Sequence, residues 1–558
     1  MHCFGNSTTY FMIKIRHFTS IAYVVMVILL MLLLNGSTEA RQQYMPGFDV
    51  LHYEFSLHLY DKKEAIDGTA VVTGLFRSRL QDTIQLDFIT KKGQSGGGIY
   101  ISDLSINDRQ KIFIADGNYL RIPTPASTQI GDTVKISVTY QGIPLDGLII
   151  GKNKYGSRTF FGDNWPNRAR HWLPTVDHPS DKATCEFKIL APSHFDVIAN
   201  GKLIGVTKIN SREQVTHWYE SVPIPTKVMV IGVANFQVEY HTAVESIPVE
   251  SWVYPENAEE GFYDFAITPG ILGYYVYKLG KYPFEKFAHV QSSTRYGGME
   301  NASNIFYSEN AVTGKRKIEE LIAHETVHQW FGNSLTEKDW NDIWLSEGFA
   351  TYLTALYLEE KYGQARFHQS MLEQKEELRD YMRQHPTSTI VPGQIRDINN
   401  LLNANSYEKA SWILHMLRKE IGTELFWKVI RSFHQKYALS NASSEDFVNH
   451  VNSVTSSDKS SFFRQWLYEP GIPKFTYSWN FNSNKHEIRV DLLQHQEFTY
   501  DVPIEFLVQF KKYESQPVKI RCNQKRQSFI IEIGQDKMPK QLLFDPDHWL
   551  LAEFVRQK

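Results

Sequence analysis

Two histidines and a glutamate fall within five residues in His324-Glu325-Thr326-Val327-His328. Positions four apart on a helix stand one turn above each other on the same face. Both imidazoles can therefore reach one Zn2+ at about 2.0–2.1 Å. Glu325, beside the first histidine, comes close to the metal without binding it. Taken alone, the five residues also suit two histidines in a core or facing solvent. Glu347 favours the metal: it follows His328 by nineteen positions, in Trp344-Leu345-Ser346-Glu347-Gly348-Phe349-Ala350. A helix, a turn and a second helix running back alongside would bring its carboxylate to the same ion. Two His and one Glu leave a fourth tetrahedral position open, the catalytic rather than the structural arrangement. In such a site Glu325 is the general base, taking the proton of a water whose pKa falls toward about 7. One zinc per chain is expected.

The elements that must position these residues follow from hydrophobic spacing. Ile318, Leu321, Ile322 and Val327 are spaced for a helix, as are Ile413, Leu414, Leu417 and Ile421. Segments 343–362, 365–384, 423–437 and 444–454 also read as helices, and Ser443 with Asp446 predicts an N-cap with an acid at the third helical position. Before residue 257 the period is two: Tyr53, Phe55, Leu57 and Leu59 alternate with polar neighbours, Phe195, Val197 and Ala199 do the same, and Val228, Val230 and Ile231 open another strand-like run. Gly93, Gly96, Gly97 and Gly98 form a turn, since no Lys-Ser/Thr of a phosphate loop follows. After Gly471 and Pro473, Phe475, Tyr477, Trp479 and Phe481 alternate again, and a strand is expected over Phe529–Ile533. The expectation is an α+β multidomain chain: an amino-terminal antiparallel β domain over 45–254, a mainly α zinc catalytic domain over 255–472, and a small carboxy-terminal β-sandwich over 473–558 with no helical carboxy-terminal domain.

The bulk composition fits this division. The chain has 558 residues, 42% hydrophobic and 22% charged, the balance of a folded multidomain protein rather than a disordered one. A net charge of -3 gives no field for nucleic acid. Lys14 and Arg16 precede an apolar run from Ile21 to Leu34, closed by small residues at Thr38 and Ala40. This describes a signal peptide over 1–40, with export to a periplasm or the outside; the alternative is an uncleaved membrane anchor. Beyond Cys3 only Cys185 and Cys522 remain, too few for a disulfide framework or a Cys-type zinc site.

The sequence resembles the gluzincin aminopeptidases, which include aminopeptidase N and the leukotriene epoxide hydrolase. The resemblance is carried by His324–Tyr352, by Tyr296-Gly297-Gly298-Met299-Glu300-Asn301, by Tyr407-Glu408-Lys409, and more loosely by Ala169–Pro174 with Asp177, Pro179 and Lys182. It implies a thermolysin-like catalytic domain and peptide substrates with a free amino end. It also implies that Glu300 grips the substrate ammonium, with Gly297, Gly298, Met299 and Asn301 lining the substrate, and that Tyr407 donates to the developing oxyanion. By residue type alone, 297–301 is an exposed turn and Tyr407 a packed aromatic at a helix start. A buried ammonium beside a dication does require a paired carboxylate, and adjacent glycines let an extended peptide lie close. Asn301-Ala302-Ser303 has the form of a glycosylation site, which a cleft position would forbid. Ala410 replaces the family's usual Gly, and Ser346 its usual Asn. The family's second amine ligand is unassigned, with Asp163 and Asn164 as candidates. An epoxide hydrolase would need an acid at Asn399, where only Asp397 is near; a catalytically silent zinc-binding scaffold is the other alternative. Oligomeric state is not legible.

Overall fold

The computed structural model describes residues 47–78, 82–90, 97–511 and 514–557. The leader expected over 1–40 lies outside the described residues, as do Gly93 and Gly96; Gly98 opens a strand. Among the described residues no helix is long and apolar enough to cross a membrane.

Strict alternation builds the amino-terminal region. Ile66–Phe76 buries every second residue, because successive side chains leave a strand on opposite faces. This strand sits inside an eight-stranded sheet between Phe48–His58 and Thr133–Ile143, pairing antiparallel with both. The exception is Phe48–His58, which runs parallel to Lys182–Pro192. A four-stranded sheet carries Arg158–Gly162 and Ile231–Ala234. The run from Val228 does not begin as a strand. Thr226–Val228 form one turn of 3-10 helix, and the amides of Asn164 and Asn200 take the carbonyls of Thr226, Val228 and Met229 that a ladder would have used.

A five-stranded sheet follows, in the order Gln237–Val244, Ile247–Val253, Phe287–Ser292, Asn304–Ser308, Gly298–Met299. It runs across the boundary placed at 254/255, because Ile247–Val253 pairs in parallel with Phe287–Ser292. Its last strand presents the 297–301 segment.

Nine helices then appear among the described residues: α1 Ala258–Phe265, α2 Thr268–Leu279, α3 Glu319–His328, α4 Trp344–Tyr362, α5 Gln364–Gln384, α6 Ala410–Ile421, α7 Thr423–Tyr437, α8 Ser444–Thr455 and α9 Ser460–Leu467. α4 is buried along most of its length, from Trp344 to Leu358, and α3 and α5 pack against it. At α8 the Ser443 hydroxyl accepts from the Asp446 N–H while the Asp446 carboxylate accepts from the Ser443 N–H, the expected capping box.

The chain then returns to strands in two sheets, one of four strands with Lys474–Asn482 inside it and one of three centred on Val502–Lys511. Phe544 of the smaller sheet touches Tyr477 and Phe554 of the larger, with ring centroids 4.5 and 4.7 Å apart, so the two faces pack as a small sandwich. Cys185 and Cys522 are buried free thiols.

Candidate metal centre

α3 and α4 bring His324, His328 and Glu347 together. The two Nε2 atoms are 3.0 Å apart, and Glu347 Oε2 lies 3.5 Å from His324 and 3.3 Å from His328. Ligands at about 2.0–2.1 Å in a tetrahedron are about 3.3–3.4 Å from each other. The three donors therefore already stand at the separations one zinc ion requires. Glu347 occupies the first turn of α4, where a carboxylate suits the helix dipole. Trp344 fixes that turn by donating its indole N–H to the Ser444 hydroxyl at 2.8 Å.

Charge balance also asks for a cation. Glu300, Glu325 and Glu347 face two imidazoles in a buried space. Burial acts against a charge on His328, but Glu347, Glu300 and Glu325 outweigh it and raise this imidazole to about 10. Burial and the neighbouring carboxylates hold the Glu325 carboxyl well above its ordinary range. Burial likewise raises Glu300, whose Oε1 has no hydrogen-bond partner. A divalent ion held by the three donors would supply the missing positive charge.

The surroundings orient the ligands. His328 Nδ1 lies 3.1 Å from the Phe331 carbonyl and 3.0 Å from the Ser346 hydroxyl, so the Asn-to-Ser departure sits directly behind a ligand. The methyl of Ala410, the other departure, occupies space left by Gly348, where an added Cβ would lie 2.4 Å from it.

A cavity of about 640 Å3 opens over the triad, with Gly297, Gly298, Met299, Glu300, Glu325 and Tyr407 on its walls. Gly298 is required by contact: a Cβ there would stand 2.4 Å from Glu325 Oε1. Tyr407 rides on a π-helical turn, Asn405–Lys409, and its ring stacks on His324 with centroids 6.0 Å apart. Asn301 is the exception. It is fully buried behind the wall, which also leaves no room for a glycan.

Neither candidate for a second amine ligand is among the residues that line the cavity. Asn164 donates to the Thr226 and Met229 carbonyls and accepts from the Trp172 indole. Asp163 is paired with Arg168 at 2.8 Å, and Trp165 takes the wall position instead. Asn399 donates to Asp397 on an exposed turn, and neither lines the cavity.

Several supporting residues carried no assigned role in the sequence. Gln329 and Asn333 donate to the Glu300 carbonyl at 3.1 and 2.6 Å, and Gln329 also accepts from the Ser303 N–H. Their signal was two polar side chains inside the apolar run that follows His328. Lys182 and Lys227 reach in from the amino-terminal region. The first donates to the Asn333 and Ser334 carbonyls, and the second pairs with Glu337 at 2.5 Å.

Residues 50–228 match the peptidase M1 N-terminal domain, and residues 263–466 match the peptidase family M1 domain. The chain belongs to peptidase family M1. Relatives within reach of it include the leucyl aminopeptidase of Saccharolobus solfataricus, 24% identical over 70% of this chain and 50% of the relative. The glutamyl aminopeptidase of Bitis rhinoceros is 27% identical over 79% of this chain and 48% of its own. Aminopeptidase M1 of Arabidopsis thaliana is 24% identical over 67% and 46%. This M1 chain thus spans about half the length of the relatives it matches.

Proposed function

We propose that the chain is a zinc aminopeptidase, hydrolysing the first peptide bond of substrates with a free amino end. The observation that carries this is Glu300: a buried carboxylate with an unpartnered oxygen, on the wall of the cavity that holds the His324, His328 and Glu347 donors. A substrate ammonium there meets the charge that its burial requires.

Zinc held by the three donors would polarise the scissile carbonyl and acidify a water. Glu325 takes the water's proton and passes it to the leaving amine. The Tyr407 hydroxyl donates toward the carbonyl oxygen as charge develops on it. Gln329 and Asn333 hold the Glu300 backbone, fixing the distance from amine to carbonyl.

Export remains part of the proposal on the strength of the amino-terminal run from Ile21 to Leu34. Glu300→Gln tests the substrate assignment. Its kcat/KM should fall by about 10²-fold or more on free-amino peptides, the scale of losing a buried charge partner, and much less on amino-acetylated ones. Equal losses on both would remove Glu300 as the amine ligand.

A further inference from the structure

Across the metal donors from Glu300, the cavity wall is acidic. α5 contributes Glu373, Gln374 and Glu377, α3 contributes Glu320, and Glu408 follows Tyr407. No lysine or arginine lines this cavity among the described residues. Two of the carboxylates are already satisfied, since Arg366 pairs with both Glu320 and Glu373. Glu377 and Glu408 are different: no cation among the described residues pairs with either.

A second observation points the same way. Gln374 is only 9% exposed, lines the same wall, and its Oε1 accepts from nothing. A buried acceptor without a donor is an unfavourable state that a bound donor relieves. Glu408 adds to this. Burial and the neighbouring Glu377 and Glu347 push its carboxyl up to about 8, so an arriving cation both ionises and stabilises it.

The position of this wall fixes what would reach it. The Gly298–Met299 strand beside Glu300 packs against α3, whereas the Asn405–Lys409 turn and α5 pack against each other and against α4. The donors sit on α3 and α4, so the centre stands between the two walls. An extended peptide with its ammonium on Glu300 and its first carbonyl at the centre continues toward Glu408.

We infer that Glu377, Gln374 and Glu408 form a recognition site for a lysine or arginine side chain on the residue immediately after the cleaved bond, an assignment that rests on the aminopeptidase reading above. A guanidinium offers five N–H donors to three clustered acceptors.

The test uses tetrapeptides that differ only in arginine, glutamine or glutamate at the second position, with a neutral aminoacyl anilide alongside. kcat/KM should favour arginine over glutamine by about tenfold, the combined effect of two part-exposed charge pairs, with glutamate lowest. Raising the salt should shrink the ratio. Glu377→Gln, at an exposed position, should lower the arginine-to-glutamine ratio about threefold, and Glu377→Gln with Glu408→Gln should bring it near one. An arginine-to-glutamine ratio near one in the parent, with the anilide still cleaved, overturns this site alone. Failure to cleave the anilide or any tetrapeptide with zinc present overturns the aminopeptidase reading beneath it.

Discussion

Gly298→Ala is the substitution whose effect the structure specifies most closely. An added Cβ would lie 2.4 Å from Glu325 Oε1, 2.7 Å from Cδ and 2.8 Å from Cγ. Ordinary contact begins near 3.4–3.5 Å, so the Glu325 carboxyl must retreat by about 1 Å. A displacement of that size in a group positioned for proton transfer costs about 10²-fold in rate. The backbone itself is not strained at this position, since Gly298 lies in a regular strand beside Asn304–Ser308. Gly297→Ala is the matched comparison: its Cβ would meet only Leu321 Cδ2, at 3.9 Å, and leave Glu325 in place. Steady-state kinetics on an aminoacyl anilide at saturating zinc, with metal content measured on the same samples, separates the two. A kcat loss of about 10²-fold is expected for Gly298→Ala at full metal, and for Gly297→Ala a loss confined to KM. A Gly298→Ala protein with full metal and kcat within about threefold of the parent would refute the placement of Glu325 as base.

Other substitutions probe separate parts of the site. Tyr407→Phe should lower kcat by about 10²–10³-fold with little change in KM, as expected for a donor to developing charge; a loss confined to KM would contradict that role. Ser346→Ala removes a hydroxyl 3.0 Å from His328 Nδ1 but leaves the Phe331 carbonyl at 3.1 Å. Zinc affinity by chelator competition should therefore fall about tenfold, the low end for an outer partner of a ligand. Lys227→Met leaves Glu337 buried without its cation. Urea unfolding should show a loss of about 3–5 kcal/mol, much of it recovered in the double variant with Glu337→Leu; a single-variant loss below about 1 kcal/mol would contradict the pairing.

The helices around the centre were legible because their apolar spacing is regular and their ends are marked. α4 and α5 meet at Gly363, and α6 and α7 at Gly422, both glycines with φ +83° where other residues are disfavoured. The Ser443–Asp446 cap was legible for the same local reason. The triad followed from spacing alone, since four residues make one turn and nineteen suffice for a turn and a returning helix.

What was not legible depends on contacts between distant segments. The π-helical turn that aims Tyr407 has no marker in Asn405-Ser406-Tyr407. The turn at Thr226–Val228 depends on Asn164 and Asn200, 62 and 28 residues away from their carbonyl partners. Lys182 lay in a recognised stretch, yet its partners are 151 and 152 residues downstream. The acidic wall joins α5 to Glu408, and no local pattern announces it.

The proposed aminopeptidase reaction depends on a single metal ion held by His324, His328 and Glu347. Stripping the protein of metal and titrating zinc back, while following release of the first residue from a free-amino peptide, tests it directly. Activity should rise linearly and break at one zinc per chain, with His324→Ala protein showing neither binding nor release. Release that is independent of zinc, or full activity in His324→Ala, would contradict the account.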